Sequence, residues 1–289
     1  MLEELLLDNA LEVLDKNGAK TAYSCLLSGM ANIAAPSAQA YNFLYCLAAV
    51  CGKRDEALEW MRTAIVEKNM WYRPEVFDDN DLDSIRNSAE FTKYKEISDV
   101  RYYEAQAAAK TICTWEKVQN DAIALCLHGN QQNMADSQRD WQFLKESGLQ
   151  IEYVQSKTLD SHAIFRWDAD AETQLDGVIA AIDWDAYQGR ALCGFSAGCN
   201  EILRTLAKGE IKCERVILVA PWIPMLENEA DILFEALRNN DTKVMIYCGA
   251  DDNDCLPYAE RLHDEAVLAG INASIRVVEG LGHAFPADM

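Results

Sequence analysis

A serine hydroxyl is a poor nucleophile until a neighbouring base takes its proton, so a chain that uses one must hold a serine, a base and an acid within reach of one another. The pentapeptide Gly194-Phe195-Ser196-Ala197-Gly198 sets a serine where the apolar run Ala191-Leu192-Cys193 ends and the helical pattern AGCNEILRTLAKG begins. Gly-x-Ser-x-Gly at such a junction predicts a strained strand-to-helix corner with Oγ exposed, its glycines sparing side chains that would strike the neighbouring strand and helix. The following helix aims its positive end at the reacting centre, which favours a developing oxyanion. The base must be one of four histidines. His283 lies in GLGHAFP, just past the last strand-like run, where a loop can reach back over a sheet edge. His263 sits in the helical segment YAERLHDEAVLAG and His162 in a loop with no supporting pattern. An acid is needed to fix the imidazole tautomer, in the order serine, acid, histidine. VMIYCGADDNDCLP supplies it at Asp252, with Asp251 and Asp254 left open as neighbours.

Ahead of these residues an apolar strand ends in Leu127-His128-Gly129-Asn130-Gln131-Gln132-Asn133. Gly129 lets backbone approach a substrate carbonyl, and the backbone N–H groups of Asn130 and Ala197 are the expected oxyanion donors. His128 reads as a structural residue or loop anchor. No second ligand is spaced to make it a metal site, and no metal is expected. Gln131, Trp222, Ile223 and Phe285 are candidates to line an apolar substrate pocket.

The elements that must position these groups begin with helices. Apolar residues recur three and four apart in Leu2 to Leu14 and from Tyr41 to Ile65, and no strand pattern interrupts the first hundred or so residues. Pro36-Ser37 suits a helix start, and Gly52-Lys53-Arg54-Asp55 a turn between helices. The stretch YNFLYCLAAVCGKRDEALEWMRTAI resembles a tetratricopeptide repeat: Leu44, Ala48, Gly52, Ala57, Met61 and Ala64 fall at that family's packing positions, with Tyr45 where a small residue is usual and Asn69 where proline is. One unit cannot bury its own apolar face, so flanking helices must complete a helical domain over residues 1–110, which offers a surface for a protein partner.

From residue 111 the pattern changes, and 111–289 reads as a second domain. The run TICTWE, a turn at Val118 to Asp121 and the run AIALCL suggest an opening antiparallel pair. Helical Ala135 to Glu146 precedes strand-like Gln150 to Gln155, and helical Ala171 to Tyr187 precedes Arg190 to Gly194. Further strands are expected at Arg215 to Ala220, Lys243 to Cys248 and Ala273 to Val278. Alternating units with solidly apolar strands imply an α/β three-layer sandwich, a mostly parallel sheet with helices on both faces.

In this order the LHG turn, GxSxG, the G-x-x-D turn and the final GHxFP resemble the α/β-hydrolase superfamily, specifically its small carboxylesterase and acyl-thioesterase-like members, over about residues 111–289. The resemblance implies that Ser196 forms an acyl-enzyme from an ester or thioester, that water hydrolyses it, and that no cofactor takes part. Gln131 and Gln132 depart from the small residues common after the HG step. The alternatives are a non-catalytic hydrolase-fold scaffold whose repeat binds a partner, and a peptidase or acyltransferase with the same triad.

The bulk properties exclude other classes. The 26 Lys plus Arg against 47 Asp plus Glu leave a net charge of −21, which repels nucleic-acid phosphates and anionic lipid surfaces. Neither nucleic acid nor membrane is an expected partner; a small-molecule acyl substrate is. The opening MLEELLLDNALEVLDKNG lacks the basic segment of a secretion signal, and no apolar run is long enough to span a bilayer, so a cytoplasmic location is expected. The 10 cysteines are scattered without a CxxC pair and should be reduced, those in apolar runs (Cys126, Cys193, Cys248) acting as small hydrophobes.

Overall fold

A computed structural model describes residues 3–287 and residue 289. The chain divides into two compact units, one made of Met1–Ala109 with Leu159–Ile164, the other of Lys110–Thr158 with Phe165–Met289.

The first unit is built on five helices: α1 (Glu3–Asn17), α2 (Ala19–Met30), α3 (Ala38–Val50), α4 (Arg54–Arg62) and α5 (Ala89–Ala108). The Ser37 hydroxyl accepts the Ala40 N–H at 3.2 Å and so caps α3. Gly52, at φ 74°, makes the turn into α4. Leu44, Ala48, Ala57 and Met61 on the facing sides of this hairpin are fully buried, the small alanines letting the two backbones close on each other. A segment from far along the sequence belongs to the same unit. Leu159–Ile164 is tied in by the Arg73 N–H to the Asp160 carbonyl (3.0 Å), by Arg73 Nε to Asp160 Oδ1 (2.9 Å) and by the His162 N–H to the Trp71 carbonyl (2.9 Å). Read as an unpatterned loop from sequence, this stretch is a structural strap.

The second unit carries a seven-stranded sheet. In chain order the elements after α5 are β1 (Ile112–Cys113), β2 (Ala122–Leu127), α6 (Met134–Asp140), β3 (Gln150–Gln155), the short strands β4 (Leu159–Ser161) and β5 (Ile164–Phe165), of which β4 falls in the strap of the first unit, α7 (Leu175–Ala181), β6 (Gly189–Phe195), α8 (Ala197–Ala207), β7 (Arg215–Val219), α9 (Ala230–Asn239), β8 (Lys243–Gly249), α10 (Leu256–Leu268) and β9 (Ala273–Val278). The order across the sheet is β1-β3-β2-β6-β7-β8-β9, parallel throughout except for β1, which runs antiparallel to β3 with Ile112 opposite Gln155. The antiparallel partner expected for the TICTWE run was the next apolar run. That run, β2, is instead flanked on both edges by parallel neighbours, β3 and β6, which leaves it no edge for β1.

Two apolar clusters show where the layers lie. Leu125, Leu192, Leu218 and Ile246 point from alternate strand positions into a core with residues of α7 to α10. Cys126, Cys193 and Val219 point to the opposite face and pack with Trp141 and Leu144, which follow α6. Helical segments therefore cover both faces of a mostly parallel sheet. Two expected helices are shorter than their patterns. The first gives way after Asp140 to a 3-10 stretch, Gln142–Ser147, that ends at left-handed Gly148. The second starts only at Leu175, where the buried Glu201 carboxylate of α8 accepts the N–H groups of Gln174 and Leu175. Among the described residues, no helix is long and apolar enough to cross a membrane.

Candidate active site

The sheet delivers Ser196 at the carboxyl end of its central strand β6. There the backbone turns into α8 through φ 51° and ψ −122° at Ser196, a region that costs an L-residue about 1–3 kcal/mol. The Ser196 N–H donates to the Val219 carbonyl on β7 at 3.0 Å, and its carbonyl accepts the Trp222 N–H at 3.3 Å. These bonds over-determine the strained corner. A Cβ on Gly198 would stand 2.5 Å from the His128 carbonyl, so only glycine lets α8 start this close to the turn after β2.

Asp252 and His283 come from two loops beyond the sheet edge. The His283 loop is held to the end of β8 by backbone bonds, Ala250 N–H to Val278 O and Asp251 N–H to Leu281 O, both 2.9 Å. Gly249 allows this approach, since a Cβ there would meet the Leu281 carbonyl at 2.0 Å. His283 Nδ1 lies 2.7 Å from Asp252 Oδ2, and the Cys255 N–H donates to Asp252 Oδ1 at 3.1 Å. Burial pushes the Asp252 carboxyl up, but the hydrogen bond and charge of His283 and the bonds from Cys255 outweigh it and hold the group below the ordinary carboxylate range. Asp252 is thus the acid among the three candidates that touches the imidazole. Ser196 and His283 line one cavity of about 240 Å³ with Asn130, Trp222, Asp254 and Cys255. Among the described residues the Ser196 hydroxyl makes no hydrogen bond to the ring.

Cys255, to which the sequence assigned no role, is part of this group. Its sulfur lies 3.5 Å from His283 Nδ1, and burial pushes the thiol pKa up, so it stays protonated and neutral. Asp252, Cys255 and His283 bring an oxygen, a sulfur and a nitrogen within 4.8 Å of one another. A cation would have to displace the 2.7 Å bond that already joins the carboxylate to the ring. All ten cysteines are free.

The turn after β2 is closed by its own side chains. Gln132 Oε1 accepts the Gly129 N–H at 2.8 Å, and the Gln131 N–H donates to the Phe165 carbonyl at 2.9 Å. Asn130 keeps its N–H without a partner among the described residues, as does Ala197 at the first turn of α8, while the Asn130 side-chain oxygen accepts the Trp167 N–H at 2.7 Å. His128 anchors the turn from beneath. Its Nε2 accepts the Ser156 N–H at 3.2 Å, which leaves the proton on Nδ1, 2.6 Å from the Gly129 carbonyl, and Trp167 stacks on the ring at 5.0 Å. Trp167 had no motif to mark it, and Gln132 was marked only as a departure after the HG step, not as the partner of the Gly129 N–H.

Burial lowers the pKa of His128 from 6.5 to about 4, the Gly129 carbonyl opposing it. The folded value lies below the unfolded one, so between those limits the unfolded chain binds a proton that the native state does not. Stability should therefore fall as pH drops from about 6.5 towards 4, by about 3 kcal/mol from this residue. Urea midpoints measured at several pH values in this window should decline less steeply for His128→Asn than for the unsubstituted protein. Equal slopes would mean that His128 is not held neutral.

The four pocket candidates separate. Trp222 lines the cavity with Ser196. Ile223 does not: it is fully buried in the core beside α8 and α9. Phe285 stacks on Phe195 at 4.9 Å and meets Trp141 edge-on at 5.0 Å, packing under the site rather than lining it. Gln131, at φ 61°, is exposed and also lies outside the cavity lining.

A family model described as the A/B hydrolase-like, N-terminal domain matches residues 3–106. No curated protein matches the chain. Among solved structures, an uncharacterized protein from Bacillus cereus ATCC 10987 is similar over 100% of this chain and 95% of its own, at 25% identity and a TM-score of 0.54. Zea mays acyl-protein thioesterase 2 is similar over 62% of this chain and 94% of its own (17% identity, TM-score 0.44). A phospholipase/carboxylesterase from Dyadobacter fermentans DSM 18053 is similar over 62% and 91% (17% identity, TM-score 0.46). The mostly parallel sheet with its serine corner and the full-length likeness to the Bacillus cereus structure fit an α/β-hydrolase fold, and residues 3–106 match the model of an A/B hydrolase-like N-terminal domain.

Proposed function

We propose that the chain hydrolyses carboxylic esters or thioesters through an acyl-enzyme on Ser196. The observation that carries this reading is the 2.7 Å contact of His283 with a buried carboxylate, in the cavity that also receives the serine of a strained strand-to-helix corner. Oγ attacks the acyl carbon while its proton passes to His283 Nε2. The tetrahedral oxyanion is met by the free N–H groups of Asn130 and Ala197, each donor contributing about 3 kcal/mol to the transition state. As the carbonyl re-forms, the bond to the leaving oxygen or sulfur breaks and that atom takes the proton from Nε2. Water then gives a proton to the same nitrogen and adds to the acyl carbon; the acyl carbon–Oγ bond breaks, Oγ takes the proton back from Nε2, and the acid leaves. Asp252 stays ionised throughout, orienting the ring and stabilising the imidazolium. Every proton and bond is accounted for by the chain, the acyl substrate and water.

A fluorophosphonate probe tests this directly. The folded protein should gain one adduct, mapped by peptide mass spectrometry to Ser196, with release of nitrophenol from acyl esters blocked in proportion. Folded protein that takes no label, or takes it elsewhere, overturns the reading.

A further inference from the structure

Six residues line the cavity at Ser196, and no lysine or arginine is among them. Ser196, His283 and the Asn130 N–H belong to the proposed chemistry, and the Cys255 thiol is neutral because burial keeps it protonated. Trp222 and Asp254 have no part in that chemistry. Asp252 is joined to His283, but Asp254, exposed where it borders the cavity, has no hydrogen bond or ion pair among the described residues. An unpaired carboxylate and an aromatic residue in a cavity without a basic side chain form an environment that attracts an ammonium group and repels a carboxylate or phosphate. The net charge of −21 adds a long-range field of the same sign.

His283 protonates the departing oxygen, so the alcohol portion leaves past the histidine. Asp254 stands two residues beyond Asp252, on the loop that holds that histidine. We propose that the site prefers esters whose alcohol portion carries an ammonium group, seated against Asp254 and Trp222, over uncharged or anionic esters. The inference rests on the Ser196 hydrolase reading and deepens it by naming the substrate class.

The test compares butyrylcholine with 3,3-dimethylbutyl butyrate, its uncharged isostere with the same acyl group. Values of kcat/KM are taken by pH-stat at about 0.15 M salt, where distant charges are largely screened. The full chain should prefer the choline ester by about tenfold, the scale of one local cation contact. Asp254→Asn should bring the ratio close to one. Asp231→Asn, which removes the same charge from α9, should leave the ratio as it is. A ratio near one in the unsubstituted protein, or one that Asp254→Asn does not change, overturns the ammonium proposal. So does a ratio that Asp231→Asn lowers equally, since overall charge would then be its source. If the isostere is hydrolysed and Ser196 takes the fluorophosphonate, such failures touch the ammonium proposal alone. If neither ester turns over and Ser196 takes no label, the hydrolase reading fails with it.

Discussion

Ser196→Ala is expected to lower kcat by about 10⁵-fold or more, the scale of removing a nucleophile that acts as a unit with its base, while KM changes little. The residual rate should still exceed that of water by about 10³-fold, because the Asn130 and Ala197 donors would remain. Alanine keeps the φ of 51° at this corner, so its stability should match that of the unsubstituted protein. Ser196→Gly separates chemistry from strain. It removes the same hydroxyl and should be as inactive, but glycine relieves the left-handed conformation, a gain of about 1 kcal/mol after its own entropy cost. Steady-state kinetics and urea titration on the two variants read both effects. Ester turnover within tenfold of the unsubstituted protein in either variant would remove Ser196 from the nucleophile's role. Equal stability of the two would mean that the corner stores no strain.

The central features of the fold were legible because they are local. Period-two and solidly apolar runs mark β2, β6, β7 and β8, and a glycine-flanked serine between such a run and a helical pattern can form little else. What escaped depends on partners distant in sequence. Nothing in TICTWE says that β2 has both edges taken, so the nearest run was the natural partner, and β3 could be found only in three dimensions. Leu159–Ile164 has too few apolar residues to show a period. Its membership of the helical unit comes from Arg73 and Trp71, more than eighty residues away.

At the site, residue type and order foresaw which side chains come together better than which ones line the cavity. The acid turn offered three carboxylates, and sequence favoured Asp252 but left Asp251 and Asp254 open, because the choice is made by side-chain direction. Asp252 turns inward to the ring and the Cys255 N–H, while Asp254 lines the cavity without a partner. Trp222 and Ile223 are adjacent, yet one lines the cavity and the other is core. Phe285 sits two residues from the histidine and still packs beneath it. Closing of the LHG turn by Gln132 turns an apparent departure from the superfamily's pattern into a device. The glutamine oxygen takes the Gly129 N–H, while that of Asn130, the proposed oxyanion donor, has no partner among the described residues.

Asp252→Asn is the substitution with the next largest effect, and the geometry dictates its direction. In the native site Oδ1 accepts the Cys255 N–H at 3.1 Å and Oδ2 faces His283 Nδ1 at 2.7 Å. An asparagine amide keeps its oxygen at the Cys255 N–H, because only an acceptor is satisfied there, and so presents NH₂ to the ring. Nδ1 must then accept, the proton moves to Nε2, and the nitrogen facing Ser196 can no longer take the serine proton. With the fold intact, kcat should fall by about 10⁴-fold. Asp251→Asn, on the same turn but without contact to the ring, should stay within about threefold. The variant should also lose a component of acid sensitivity. Asp252 is held below its ordinary pKa in the folded state, so its contribution to stability is present above the unfolded value and disappears as pH falls through the depressed one. Asparagine does not titrate, and the gap in urea midpoint between the two proteins should narrow on acidification. A kcat for Asp252→Asn within tenfold of the unsubstituted protein would show that the tautomer is not set from this side, and the orienting role would pass to Asp251 or Asp254.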